Sequence, residues 1–127
     1  MDEMKIIIRA YNPKKDAGII YDTYPKGVYY GAYIPIVTPK DKWFKEFFIK
    51  MKDQLQRDTV LIACLGNNVD TILGYSIIDS DSLKFVYVKE AFRNQGIGTL
   101  LTKNKYSTIE EHHLTKVGYA ILHKEGK

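Results

Sequence analysis

The chain has 127 residues, 45% hydrophobic and 27% charged, enough apolar content for one globular domain with a single core and too much for a disordered segment. The formal net charge of +4 suits a phosphate-bearing ligand or an acidic partner, but no dense Lys/Arg stripe points to nucleic acid. The single cysteine, Cys64, excludes an internal disulfide, and no apolar run approaches the roughly 20 residues of a membrane span.

The opening MDEMKIII lacks the basic and apolar segments of a secretory signal, so the expectation is a cytoplasmic protein without a membrane anchor. Lys5–Tyr11 (KIIIRAY) is a β-branched run and reads as a buried strand. Asn12 and Pro13 then offer an N-cap and a first helical residue, predicting a helix through Ile19 and Ile20 to about Tyr24, with Gly18 weakening it. The stretch from Pro25 to Pro39 holds Tyr29, Tyr30 and Tyr33 among prolines and glycines and reads as an irregular aromatic loop. Thr38-Pro39 opens a second helix, with Trp43, Phe44, Phe47, Phe48, Met51 and Leu55 as one apolar stripe ending near Arg57. Thr59–Leu65, Thr71–Ile78 and Leu83–Val88 are three strands joined by short turns, which predicts an antiparallel meander. A short helix follows Gly98. Tyr106–Leu114 is ambiguous, and a weak helix carrying Tyr119 and Leu122 ends the chain. The predicted whole is one domain over residues 1–127, mixed α/β, with a mostly antiparallel sheet flanked by helices on both faces.

The sharpest motif is VYVKEAFRNQGIGTLL, Val86 to Leu101. Glycine at a helix start costs about 1 kcal/mol relative to alanine. Gly96 and Gly98 stand where the chain turns from strand to helix. A helix N-terminus carries free N–H groups and partial positive charge, and glycines let a phosphate approach the backbone. Arg93 adds further donors. The structural alternative is a tight turn with close helix–sheet packing. A Walker loop is excluded because Thr99 and Leu100 follow Gly98 where Lys and Ser/Thr are required. A dinucleotide fingerprint is excluded because Leu101 replaces its third glycine and the preceding strand belongs to a meander.

Arg93-Asn94-Gln95-Gly96-Ile97-Gly98 resembles the acyl-CoA pyrophosphate loop of the GNAT N-acetyltransferase family, Arg/Gln-x-x-Gly-x-Gly/Ala, and the element order is also similar to that family. The segments IIYDTY and FVYVKEAFR resemble small GNAT-like proteins of bacteriophages. The resemblance covers roughly Met4 to Asn104. It implies acetyl-CoA as acyl donor, held by residues Arg93, Asn94, Gln95, Gly96, Ile97 and Gly98, with main-chain groups of Val86 and Val88 pairing with the pantetheine arm where the sheet splays. It implies direct attack by an amine of a small molecule or protein, with an N–H near Val88 as oxyanion donor. The acid is then expected on the last helix, where Tyr119 stands, unless Tyr119 packs into the core.

Candidate bases are Glu110, Glu111, His112 and His113, with Glu90 read as a surface elbow residue. Adjacent histidines on a strand face opposite ways and no third ligand is evident, so no metal site is expected. Tyr29, Tyr30 and Tyr33 fall where the family's substrate-covering loop lies, and either line the acceptor mouth or pack. Few residues follow Leu122, whereas the family continues with two more strands. The expectation is a truncated fold whose acceptor site is open, completed by a second copy in a homodimer through the Tyr106–Leu114 edge, or retained without catalysis as a protein-interaction module.

Overall fold

The computed structural model describes residues 5–32, 36–103 and 108–109. The elements are β1 (Ile6–Ala10), α1 (Pro13–Gly31), α2 (Lys40–Gln54), β2 (Thr59–Leu65), β3 (Asn68–Asp79), β4 (Ser82–Val88), a 3-10 turn (Glu90–Phe92), α3 (Ile97–Thr102) and β5 (Thr108–Ile109). They form one sheet in the order β1-β2-β3-β4-β5. Each of the first four strands is antiparallel to its neighbour, and β5 lies parallel to the start of β4, with Ser82 opposite Thr108 and Leu83 opposite Ile109.

Alternation along the strands supplies two cores, one on each face. On one face Tyr75, Ile77 and Phe85 pack against Ile20, Tyr24 and Val28 of α1 and Met51 of α2. On the other, Ala63, Leu73 and Val86 pack against Ile97 and Leu101 of α3. The sequence expectation of a mixed sheet with helices on both faces is therefore met.

The aromatic segment after Pro25 departs from its expectation. Its first half is not an irregular loop: α1 runs on through Pro25 to Gly31, placing Tyr29 and Tyr30 on a helix, whereas residues 36–39 are irregular as expected. Proline removes one backbone donor and disfavours the helix interior. Burial outweighs that local preference, because Tyr24 and Pro25 are buried and Val28 is only 4% exposed. Gly27 allows the close packing, since a Cβ there would overlap the Phe85 ring. The start of α2 also differs in detail. Pro39 is its N-cap, and no side chain caps it.

The start of α1 is held by a buried ion pair. Asn12 is the N-cap, its Oδ1 accepting from the Lys14 N–H at 3.1 Å. Asp16, 1% exposed, accepts from Arg9 Nη1 at 2.7 Å and Nη2 at 2.9 Å, and from the Asn12 N–H at 2.7 Å. Arg9 Nε donates to the Val69 carbonyl at 3.0 Å, so one guanidinium joins β1, α1 and the start of β3. Burial pushes the Asp16 carboxyl up, but the hydrogen bonds from Arg9 and Asn12 prevail and hold it below the ordinary carboxylate range.

A carboxyl held low in the folded state stabilises fully above its unfolded value of about 3.9, and that contribution is lost as pH falls through the lowered folded value. Urea unfolding between about pH 3 and 7 should show this acid loss in the wild type. Asp16→Asn should lower stability by about 3 kcal/mol at neutral pH, because Arg9 is left partly buried without its partner, and should flatten the acid limb.

Candidate functional site

The candidate site begins with the β3–β4 ladder. Gly74 pairs with Val88, Tyr75 with Tyr87 and Ser76 with Val86. The Lys89 N–H donates to the Leu73 carbonyl at 2.8 Å, which makes Leu73 and Lys89 a hydrogen-bonded pair. Hydrogen-bonded and non-bonded pairs alternate in an antiparallel ladder. Tyr87 therefore bonds toward β3, while Val86 and Val88 direct their main-chain groups to the opposite side. There, described pairing with β5 involves only Ser82 and Leu83. A bulge at Lys84, where Ile77 pairs with Phe85 but Ile78 with Leu83, bends β4 between these two regions.

Glycine is required at position 74. A Cβ there would collide with the Tyr87 carbonyl oxygen and come within 3.1 Å of Val88 Cα. The position coincides with a register shift between β2 and β3, where Ala63 pairs with Gly74 but Cys64 with Ile72.

Beyond β4 the chain makes its 3-10 turn, with the Phe92 N–H bonded to the Lys89 carbonyl and the Arg93 N–H to the Glu90 carbonyl. Asn94 and Gly96 then adopt positive φ, at 66° and 81°. The first helical bond of α3 is Leu100 N–H to the Gly96 carbonyl. Among the described residues, the main-chain N–H groups from Asn94 to Thr99 donate to no protein acceptor. Successive N–H groups brought together by such dihedrals form an anion-binding concavity. A Cβ on Gly96 would meet no atom within 4 Å, so the space over this turn is open.

The two glycines differ in role. Gly96 is needed for its left-handed backbone conformation. Gly98 lies within α3, and a Cβ there would meet only Val88 Cγ2, at 4.0 Å, an ordinary contact. Arg93 is partly committed to the turn itself, its Nε donating to the Val88 carbonyl at 2.8 Å. That bond closes the turn and leaves the Val88 N–H, rather than its carbonyl, available on the open side. The Ile97 side chain, the first of α3, is buried against the sheet and does not face the turn's open side. Asn94 and Gln95 are exposed on the same turn.

Two buried hydroxyls fix α3. Ser76 Oγ donates to the Leu101 carbonyl at 3.0 Å, tying the helix to β3, and Thr102 Oγ1 donates to the Gly98 carbonyl at 2.8 Å. Sequence reasoning missed Ser76 because a serine in an apolar strand has no local signature. It also passed over Gly74, although a glycine inside a strand signals a bulge or a close backbone approach.

On the face of α1 and α2, the Tyr75 hydroxyl lies 2.7 Å from Thr23 Oγ1, and burial raises its pKa far above the ordinary range. Thr23 Oγ1 already donates to the Ile19 carbonyl at 2.6 Å, so the Tyr75 hydroxyl donates to Thr23 and is committed to the core. Tyr87, half-buried, has its ring centroid 5.6 Å from that of Tyr75. Tyr29 stacks into a group with Trp43 and Phe44, while Tyr30 is 61% exposed. Tyr33, Glu110, Glu111, His112, His113 and Tyr119 lie outside the described residues. Among the described residues no cluster of three His, Cys, Asp or Glu side chains could hold a metal, and no helix is long and apolar enough to cross a membrane.

Comparison with solved structures shows that this arrangement, an antiparallel meander whose last strand bends and runs through a glycine turn into a helix, is the GNAT fold. A protein placed in the GNAT acetyltransferase family from Xanthomonas campestris pv. campestris aligns with a TM-score of 0.63 at 12% identity, over 97% of this chain and 84% of that one. A predicted acetyltransferase from Clostridium acetobutylicum, solved with acetyl-CoA, aligns with a TM-score of 0.58 at 14% identity, over 97% and 90%. The GCN5-related glucosamine N-acetyltransferase region of a fungal multi-domain β-N-acetylglucosaminidase aligns with a TM-score of 0.50 at 20% identity, over 80% of this chain, which spans only 12% of that protein. The sequence matches no family model and no curated relative.

Three glycine substitutions separate packing from backbone strain, measured by chemical denaturation. Gly74→Ala should cost about 1–3 kcal/mol through backbone overlap. Gly96→Ala should cost about 1–2 kcal/mol through its left-handed conformation alone. Gly98→Ala should be neutral or stabilising by up to about 1 kcal/mol, because alanine is the better helix former.

Proposed function

We propose that this protein is an acetyl-CoA-dependent N-acetyltransferase. The reading is carried by two sets of main-chain groups, the open side of Val86 and Val88 and the N–H groups from Asn94 to Thr99, which meet no acceptor among the described residues. A row of peptide donors and acceptors along a strand edge suits the two amides of a pantetheine arm. A nest of N–H groups at the far end suits a pyrophosphate. The two lie in the order in which those groups occur along coenzyme A. The Clostridium acetobutylicum neighbour solved with acetyl-CoA supports the same donor.

In this reading the Val88 N–H stabilises the oxyanion formed as an amine lone pair attacks the thioester carbonyl carbon. The tetrahedral intermediate collapses with cleavage of the C–S bond. The nitrogen loses a proton to a base, and the leaving thiolate takes one from an acid. No protein nucleophile is needed. The acid and base fall to segment 110–119, where Glu110, His112 and Tyr119 stand. Tyr75 is unsuited to the acid's role because it is fully buried, with its hydroxyl bonded to Thr23 of α1. Arg93 contributes its two Nη groups to the phosphates while Nε keeps the turn closed. The acceptor is a small-molecule or protein amine.

Calorimetric titration of acetyl-CoA into the wild type and Gly96→Glu tests the donor site. The added carboxylate would stand in the open space above the nest and oppose a pyrophosphate. Binding should be lost in the variant while its circular dichroism stays native, and equal affinity in the two proteins would refute the site. Thiol release from acetyl-CoA across an amine and peptide panel then tests turnover. Binding without release on any acceptor favours a non-catalytic module, a reading supported by the exposed aromatic face of α1 and α2.

A further inference from the structure

The outer side of the α1–α2 hairpin carries a feature the donor site does not use. Between the two helices lies a cavity of about 470 Å³, floored by Tyr21 and Pro25 of α1 and Phe44 and Phe48 of α2. Ile49, 63% exposed, stands on its rim. The helices reach the sheet through other residues, namely Ile20, Tyr24, Val28 and Met51. Tyr21 and Phe48 also pack against the edge of that core, so the floor of the groove continues it outward between the two helices. A trough between two antiparallel helices has the shape that accepts the side-chain ridge of a third.

The charge around it is one-sided. Asp22 is paired with Lys26 at 2.9 Å and Glu46 with Lys42 at 4.0 Å. Lys45, which lines the groove, has no carboxylate partner among the described residues. Lys52 lies over the Phe48 ring at 5.0 Å and Lys40 over the Tyr30 ring at 5.1 Å, and neither makes an ion pair among the described residues.

We propose that this groove docks an acidic amphipathic helix of a partner protein, with apolar side chains at i, i+3, i+4 and i+7 filling the trough and carboxylates meeting Lys45 and Lys52. A second copy of this chain fits less well, because two-fold pairing across the groove would oppose the same lysines. A bilayer surface fits less well because the apolar floor is concave and recessed behind the lysine rim.

The test is fluorescence anisotropy with a labelled helical peptide of roughly 18 residues, leucine at the four docking positions and glutamate elsewhere on its polar face. The wild type should bind it, and more weakly as salt rises. Lys45→Glu/Lys52→Glu and Ile49→Glu, all at exposed positions, should each weaken binding by about tenfold or more. Lys14→Glu, an exposed lysine at the far end of α1, should leave it unchanged. The proposal is overturned if a lysine version of the peptide binds equally well, or if Lys14→Glu weakens binding as much as the groove variants. It is also overturned if the groove variants have no effect. An Ile49-dependent dimer in sedimentation, or Ile49-dependent binding to phosphatidylserine vesicles without peptide binding, would replace it with self-association or a lipid surface. Acetyl-CoA titration of the same variants should match the wild type, so failure here is distinct from failure of the donor site.

Discussion

The close approach of the β3 and β4 backbones at Gly74 is the constraint on which the rest of the site depends. Only a residue without a Cβ lets the Tyr87 carbonyl and the Val88 Cα come so near. That approach sets the pairing of Gly74 with Val88 and allows the Lys89 N–H to reach the Leu73 carbonyl. The phase of the ladder follows, and with it the outward direction of the Val86 and Val88 main chain. β3 also holds the other half of the site, because Ser76, two residues beyond Gly74, fixes the Leu101 carbonyl of α3. Strand edge and glycine turn are thus both referenced to one strand buried from Ile72 to Ile78.

The two faces of that strand serve different ends. Leu73 meets Ile97 and Leu101 in a small aliphatic cluster that carries α3. Tyr75 enters a much larger aromatic core, where Phe85 and Tyr24 lie 4.8 Å apart and Tyr24 and Phe47 lie 5.0 Å apart. The series continues through the stacked pair Trp43–Phe47, at 4.8 Å, to Tyr29 and then to Tyr30 at the surface. Aromatic contacts of this kind add about 0.5–1.5 kcal/mol each beyond the area they bury. They explain how a helix containing Pro25 stays continuous.

The strands and α2 were legible because each has its own period. Thr59–Leu65 was read with its observed bounds, and the apolar stripe from Trp43 to Met51 placed α2. Asn12-Pro13 located the start of α1 because capping is a local interaction. Its far end was hidden, since Pro25, Gly27 and Gly31 all argue locally for a loop, and only contact with Phe85 across the sheet reverses that. The glycine turn was legible as a motif, but not the division of labour inside it. Nothing in the spacing distinguishes a glycine chosen for its φ from one beside an ordinary van der Waals contact, nor shows that Arg93 turns back to Val88.

That division answers why a chain would tolerate glycines at a helix start. Gly96 permits the left-handed step, and Asn94, one of the few other residue types that tolerate positive φ, takes a second. Together they keep the N–H groups from Asn94 to Thr99 from closing onto acceptors among the described residues. A chain selected for stability alone would cap the helix with a serine or aspartate side chain and satisfy those donors locally, for about 1 kcal/mol. Here no side chain caps α3. Stabilising effort is instead placed behind the turn, in the Ser76 and Thr102 hydroxyl bonds and the buried Ile97 and Leu101. A terminus anchored from below and left uncapped above is what the proposed pyrophosphate site requires.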